Sequence, residues 1–434
     1  MNKLITCASV AAVGAAALQA QSVEGAAVTK PWSVSAKLRG FYDDNYATTP
    51  KDAFPGSPGK ESSWGFNIAP TVSVNILRDI TTIGVEYTYD LRWYEARTDN
   101  EIDQTHKADL NIGHMFSDRF RVDLTDSFVY SDEPSVIAEN KGFYNTYYRT
   151  ENNNLRNYAG IAFTGSLTEQ LGTRIGYSNG YYDYEENGPG SRSALLDRLE
   201  HLISADLRWT FQTTTVGLLG YQFGIVDYTS NDLLTNPAWY PVGTVIPKAE
   251  VRNQQSHYIF VGADHKFTPE FGAAARAGVQ IADYPDAVDG MEDNIVTPYV
   301  DVALTYNYAD GSRVQIGVKN ELIATDVALP YVGTGSLEPA TSSQLATSVY
   351  GAIIHKITPK LRGMVRAGWQ HGSFQGGYFD GESDDYFALD INATYSFNQY
   401  VGAEIGYAYD NLCSDLPYRE FDRNRFYFGI IAKY

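Results

Sequence analysis

The sequence predicts an all-β fold: a transmembrane antiparallel up-and-down β-barrel of about 18 strands, with 16 as the alternative. Three observations predict it. From about residue 32 onward, apolar residues alternate with small or polar ones, which is the side-chain period of a strand. No window after the first twenty residues approaches 18 consecutive apolar positions, so helices are excluded as the spanning element there. The composition is 44% hydrophobic, 14% aromatic and only 20% charged, with 33 Tyr and 38 Gly. That balance suits a wall with oil on one side and water on the other, closed because lipid cannot satisfy an open sheet edge.

The elements follow in order. Lys3, the small-residue apolar stretch 5–18 and Ala20 read as a signal peptide over 1–20, followed by a short periplasmic segment at 21–31 and a barrel over 32–434. Cys7 leaves with the leader, so Cys413 stands alone and no disulfide forms within the mature chain. Clusters of Gly, Pro, Asp, Asn, Ser and Thr predict tight turns at 78–79, 117–119, 168–170, 212–214, 268–270, 309–312, 358–360 and 398–399. Between them lie longer polar connections at 45–61, 96–103, 131–153, 185–196, 229–252, 284–293, 327–341, 375–384 and 411–420. Eight turns and nine loops make eighteen strands, an even number that leaves both termini on the periplasmic side. The loops at 131–153 and 229–252 are the longest and are the expected pore-narrowing segments.

Charge separates the two faces. With the adjoining strand ends included, over 45–61, 95–103, 131–153, 183–198, 227–252, 283–294, 326–343, 378–385 and 410–422, the nine loops together carry more negative charge than the whole chain's -19, which places the acid excess on one rim. Strand parity places charged residues of both signs on the face opposite the apolar one. The cations Arg39, Arg92, Arg121, Arg174, Arg208, Arg276, Arg313, Arg362, Arg366 and Arg425, with Glu86, Asp109 and Asp301, are the expected pore-lining residues. Facing lipid at mid-bilayer, each Arg would cost about 2–4 kcal/mol, whereas facing water it needs no partner. Asp126 is the misfit: it falls on the apolar face between Leu124 and Phe128, which suggests a bulge or an interfacial depth. The acidic run Asp283, Asp286, Asp289, Glu292 and Asp293 supplies hard oxygen ligands for a divalent cation, but its spacing matches no calcium loop, so a solvated rim is the expected reading and no metal is assigned.

The chemistry of catalysis is missing from the pattern. The seven histidines are scattered without metal-ligand spacing, and no nucleophile elbow, phosphate-binding loop or dinucleotide fingerprint occurs, so neither an enzyme nor a cofactor is expected. His114, His201, His257, His265 and His355 fall on the outward face near strand ends. A net charge of -19 without a Lys/Arg cluster excludes nucleic acid as a partner.

Three segments resemble bacterial outer-membrane barrels. The closing series Phe426, Phe428, Ile430, Ala432 and Tyr434 looks like the assembly signal read by the barrel-insertion machinery, although most such proteins end in Phe. The stretches Arg39–Gly40–Phe41–Tyr42–Asp43–Asp44–Asn45 and Ala69–Pro70–Thr71–Val72–Ser73–Val74–Asn75 resemble the opening strands of the putative beta-barrel porin family. The resemblance implies a porin-like channel in the outer membrane of a Gram-negative-type bacterium, passing small hydrophilic solutes or ions passively, with membrane lipid and the assembly machinery as partners. A polysaccharide export conduit and a structural or adhesive surface barrel are the alternatives; mixed lumen charges speak against the first.

Overall fold

The computed structural model describes residues 30–52, 59–132, 137–138, 142–143, 153–329 and 337–434. The expected leader lies outside these residues, as does most of the segment 21–31. The strands are β1 (Trp32–Asp43), β2 (Ser63–Leu77), β3 (Thr81–Tyr94), β4 (Ile102–Ser117), β5 (Phe120–Ser131), β6 (Ile137–Ala138), β7 (Gly142–Phe143), β8 (Asn154–Ser166), β9 (Leu171–Tyr184), β10 (Arg198–Gln212), β11 (Thr215–Tyr228), β12 (Gln254–Lys266), β13 (Phe271–Asp283), β14 (Asn294–Ala309), β15 (Ser312–Ile323), β16 (Ser343–Lys356), β17 (Leu361–Gln375), β18 (Ser383–Ser396), β19 (Val401–Ser414) and β20 (Phe421–Lys433). Eighteen of them form one antiparallel sheet, in which β1 pairs with β2 on one side and β20 on the other, so the sheet closes on itself. The count of 18 therefore stands and 16 does not. The pair β6–β7 is a separate small hairpin inside the loop joining β5 to β8.

All eight tight turns lie where turn chemistry places them, and four show the reason. The hydroxyls of Thr168, Thr268 and Thr358 and the amide oxygen of Asn398 each accept from the backbone N–H groups two and three residues on, at 2.8–3.2 Å. These short side chains close the chain reversal themselves. Loop boundaries shift more. The loop expected over 411–420 starts later, because β19 continues to Ser414, and the one expected over 327–341 spans 324–342. At the extracellular ends both faces of a strand meet water, so the two-residue period fades before the ladder does.

The outward face is apolar and exposed: Leu219, Val261, Ile405 and Phe428 each show at least half of their surface. Phe426, Phe428, Ile430 and Ala432 of the closing series share this face in β20, and the exposed Tyr434 directly follows the strand. Among the described residues no helix is long and apolar enough to cross a membrane. Histidines recur on the outward face in one arrangement. Tyr87–His106, Tyr177–His201, Tyr221–His257 and Tyr308–His355 each bring a phenol oxygen within 2.8 Å of an imidazole nitrogen. Amphipathic ring pairs of this kind belong at the membrane–water boundary. Asp126 lies in unbroken register against Leu110 and Ala159, so the bulge is not found. Its side chain stays outward and accepts from Asn157 Nδ2 at 3.0 Å, and its ladder continues through Ala159 and Asn179 to His201, a polar row of interfacial character.

Candidate functional site: the lumen and its extracellular mouth

Because successive residues alternate across the wall, the odd-numbered face of β1 and its partners points inward, and charged side chains meet there across strands. Arg39 donates to Glu404 at 2.6 and 3.1 Å while lying 4.6 Å from the ring of Tyr427. Arg92 donates to Asp90 at 3.2 Å, Arg121 to Asp123 at 2.6 Å, Arg366 to Asp390 at 2.6 Å and Arg425 to Asp410 at 2.5 Å. Arg208 and Arg276 share Asp264, at 2.5 and 3.1 Å. Arg174 stands opposite Asp206 in the β9–β10 ladder. Asp301 is flanked in register by Arg276 and Lys319. Glu86 sits opposite Asp109, which accepts from Ser127 at 2.7 Å and pairs with Lys107 at 3.1 Å. Arg313 lies at the foot of β15 beside its turn, opposite Ile354. Most rungs of the arginine series thus stand beside a carboxylate, their own or shared.

Arg362 differs. Among the described residues it has no carboxylate within ion-pair distance, and its partner across the β16–β17 ladder is another cation, Lys356.

A cavity of about 1660 Å³ runs along this wall from the periplasmic turns at 310–311, 358–360 and 398–400 up to Asp43 and Tyr94 near the extracellular ends of β1 and β3. Ten Lys or Arg residues line it against seven Asp or Glu, once Asp126 with its outward side chain is set aside. The whole chain has the opposite balance, 33 basic residues to 52 acidic. Lys356, Lys360 and Lys433 belong to this lining, and sequence reasoning missed them; the strand parity that found Arg362 also points Lys356 and Lys433 inward.

The extracellular mouth is built differently. A one-turn helix α1 (Arg192–Leu196) is capped by Ser191, whose hydroxyl accepts from Ala194 N at 3.2 Å. Arg252 is fully buried and donates to the carbonyls of Leu195, Thr325 and Val327, which joins three loops through one guanidinium. Asp326 accepts from Arg192 at 3.2 Å and from Arg419 at 3.1 Å, and Arg419 also reaches Asp384 at 2.7 Å. Burial alone would raise the Asp326 carboxyl, but Arg419 and Arg192 outweigh it and hold the group below the ordinary carboxylate range. For Asp197 burial wins: its carboxyl is raised to about 6, against hydrogen bonds from Ser193 and the Tyr184 N–H. Gly377, at φ +70°, lets the β17–β18 loop press onto Ala340, whose carbonyl would lie 2.4 Å from any Cβ there.

Strand β7 lies against β15, β16 and β17, across the lumen from β5 and β8. Of the two loops expected to narrow the pore, the one at 131–153 lies mostly outside the described residues, and its residues 142–143 stand on the side of the barrel opposite β5 and β8. The loop at 229–252 packs into the mouth through Leu234, Ala249 and Val251. The acidic run 283–293 does not converge: Asp283 accepts from Asn294 and Asp286 from Asn253, and among the described residues no three metal-ligating side chains meet.

Residues 248–434 match the family model described as "Putative beta-barrel porin 2". That match covers the C-terminal part of a closed 18-stranded antiparallel barrel. Similar solved structures include the outer membrane protein opdK from Pseudomonas aeruginosa, at 12% identity over 93% of this chain and 99% of that one, with a TM-score of 0.45. Pseudomonas aeruginosa OccK2 (OpdF) in complex with glucuronate follows at 9% identity, 93% and 98% coverage and a TM-score of 0.45. Acinetobacter baumannii OccAB4 stands at 14% identity, 93% and 99% coverage and a TM-score of 0.40. No curated protein matches the chain in sequence.

Proposed function

We propose that this barrel is a passive diffusion channel of the outer membrane for small hydrophilic solutes and ions, without enzymatic activity. The observation that carries the reading is the polar, charge-lined cavity running from the periplasmic turns toward the extracellular mouth inside a closed apolar wall. A solvated lumen lowers the barrier for polar solutes, and the wall charges tune which ones enter. The outward series from Phe426 to Tyr434 serves as the assembly signal, and lipid contacts the exposed apolar belt. The porin reading fits the mixed lumen charges better than a polymer conduit, which would favour one sign throughout.

The test is single-channel recording of the purified, leader-free barrel in a planar bilayer. Steady conductance that scales with salt supports the channel. Silence at all voltages and salts overturns it.

A further inference from the structure

Pairing divides the lumen cations into two kinds. Arg39, Arg366 and Arg425 each have a carboxylate at 2.5–2.6 Å, so each pair presents a dipole to the lumen rather than a net charge. At the periplasmic end the arrangement changes. Arg362 has no carboxylate partner among the described residues and faces Lys356 directly across the β16–β17 ladder. Among the described residues Lys356 reaches the carboxylate of Asp310 alone, at 3.6 Å, and that carboxylate is 89% exposed on the turn, where water and salt screen it. Lys360 in the adjoining turn donates to a backbone carbonyl, Phe397 O at 3.3 Å, and so keeps its charge uncompensated. Like charges placed directly opposite on neighbouring strands are destabilising. A wall free to balance its charges elsewhere leaves this cluster unbalanced, and all three residues line the cavity.

We infer that Lys356, Lys360 and Arg362 form a cationic throat that makes the pore selective for small anions, and that the mid-lumen arginines contribute little to that selectivity. This rests on the channel reading above and deepens it. The substrates it points to are small anionic solutes, with carboxylate or phosphate groups that the throat concentrates locally as they pass. The physical basis is field focusing: low-dielectric walls hold field lines inside the lumen, so an unpaired charge raises the local concentration of its counter-ion, while a paired one cancels at short range. The acidic loops at the other end oppose this little, because the 14 residues of β16 separate them from the throat, about 35 Å along a tilted strand against a Debye length of about 10 Å at 0.1 M salt.

The experiment measures reversal potentials across a tenfold KCl gradient for the wild type, Arg362→Gln, the double variant Lys356→Gln/Arg362→Gln, and Arg366→Gln. Anion preference is expected in the wild type. Arg362→Gln should lower the chloride-to-potassium permeability ratio by about threefold, and the double variant should abolish or invert it, with conductance retained. Arg366→Gln exposes Asp390 and should shift the ratio less than the double variant. Inhibition of chloride current by added citrate or phosphate should weaken in the same order. A wild type that conducts without anion preference, or a double variant with an unchanged ratio, overturns the throat and leaves the channel reading intact. A wild type that carries no current removes both.

Discussion

The extracellular mouth and the periplasmic throat use the same residue types to opposite ends. At the mouth, Asp326 and Asp384 are buried and both pair with the half-buried Arg419, so their charge serves position: it fixes loops that share no strand pairing. At the throat, Arg362 and Lys356 are half-exposed and unpartnered or weakly partnered, so their charge remains available to whatever passes. Burial decides between the two roles. A charge taken out of water must be matched and then acts as a fastener, whereas a wet charge needs no match and acts through its field.

The comparison breaks most severely at a buried pair that also closes the barrel. Arg423 and Asp43 are each about 99% buried and join β20 to β1 through three hydrogen bonds of 2.5–3.1 Å. Arg423→Met leaves the Asp43 carboxylate buried without its guanidinium and should cost about 3–5 kcal/mol. The temperature at which the folded band is lost on a detergent gel should fall sharply. An unchanged transition would mean that this seam is held by the backbone ladder alone.

Next comes the mouth. Asp326→Ala strips the shared acceptor from Arg192 and Arg419, a local loss of about 3 kcal/mol that should be felt by the loops more than by the wall. Protease cleavage within 324–342 should accelerate and conductance should rise, while the detergent-gel transition of the barrel stays near that of the wild type. Equal cleavage rates would show that Arg252 and apolar packing suffice to hold the loops. A smaller effect is expected at Gly406, where the Tyr427 ring lies within 2.2 Å of the place a Cβ would occupy. Gly406→Ala pushes that ring off the wall and should lower the same transition by an amount equivalent to about 1–3 kcal/mol, the range for overpacking.

The wall was legible in the sequence because its rules are local. Alternation, turn chemistry and an even strand count follow from neighbours one to three residues apart, and all eight turns obey them. Parity likewise put the ten expected arginines on one face, and the described cavity is lined by Arg39, Arg92, Arg362, Arg366 and Arg425 of them. Which of them are neutralised was not legible. Arg39 meets Glu404 across 365 residues of chain, and nothing local distinguishes Arg362 from Arg366, four residues away. The loops were least legible. Asp326 belongs to a rim read as solvated, yet it is buried between two arginines from other loops. Helix α1 and the hairpin β6–β7 form in segments that read only as long polar connections, because tertiary contacts rather than periodicity specify them.

The smallest predicted effect separates the two acids of the mouth by pH. Asp197 has its carboxyl raised to about 6 from 3.8 by burial, so between those values the folded state holds a proton that the unfolded state has lost. Stability from this group is therefore full below about pH 4, declines as pH rises toward 6 and is flat beyond. Asp326 is shifted the other way: its contribution is present at neutral pH and is lost only as pH falls through its depressed value. Raising the pH from 4.5 to 7 should thus loosen α1 without releasing the Asp326 fastener. Amide protection factors in 192–198 should drop across that interval in the wild type and stay level in Asp197→Asn, whose amide oxygen still accepts from the Tyr184 N–H and whose Nδ2 can donate to the Ser193 hydroxyl oxygen, but which does not titrate. The same slope in both proteins would assign the loosening to another group and remove Asp197 from the account of the mouth.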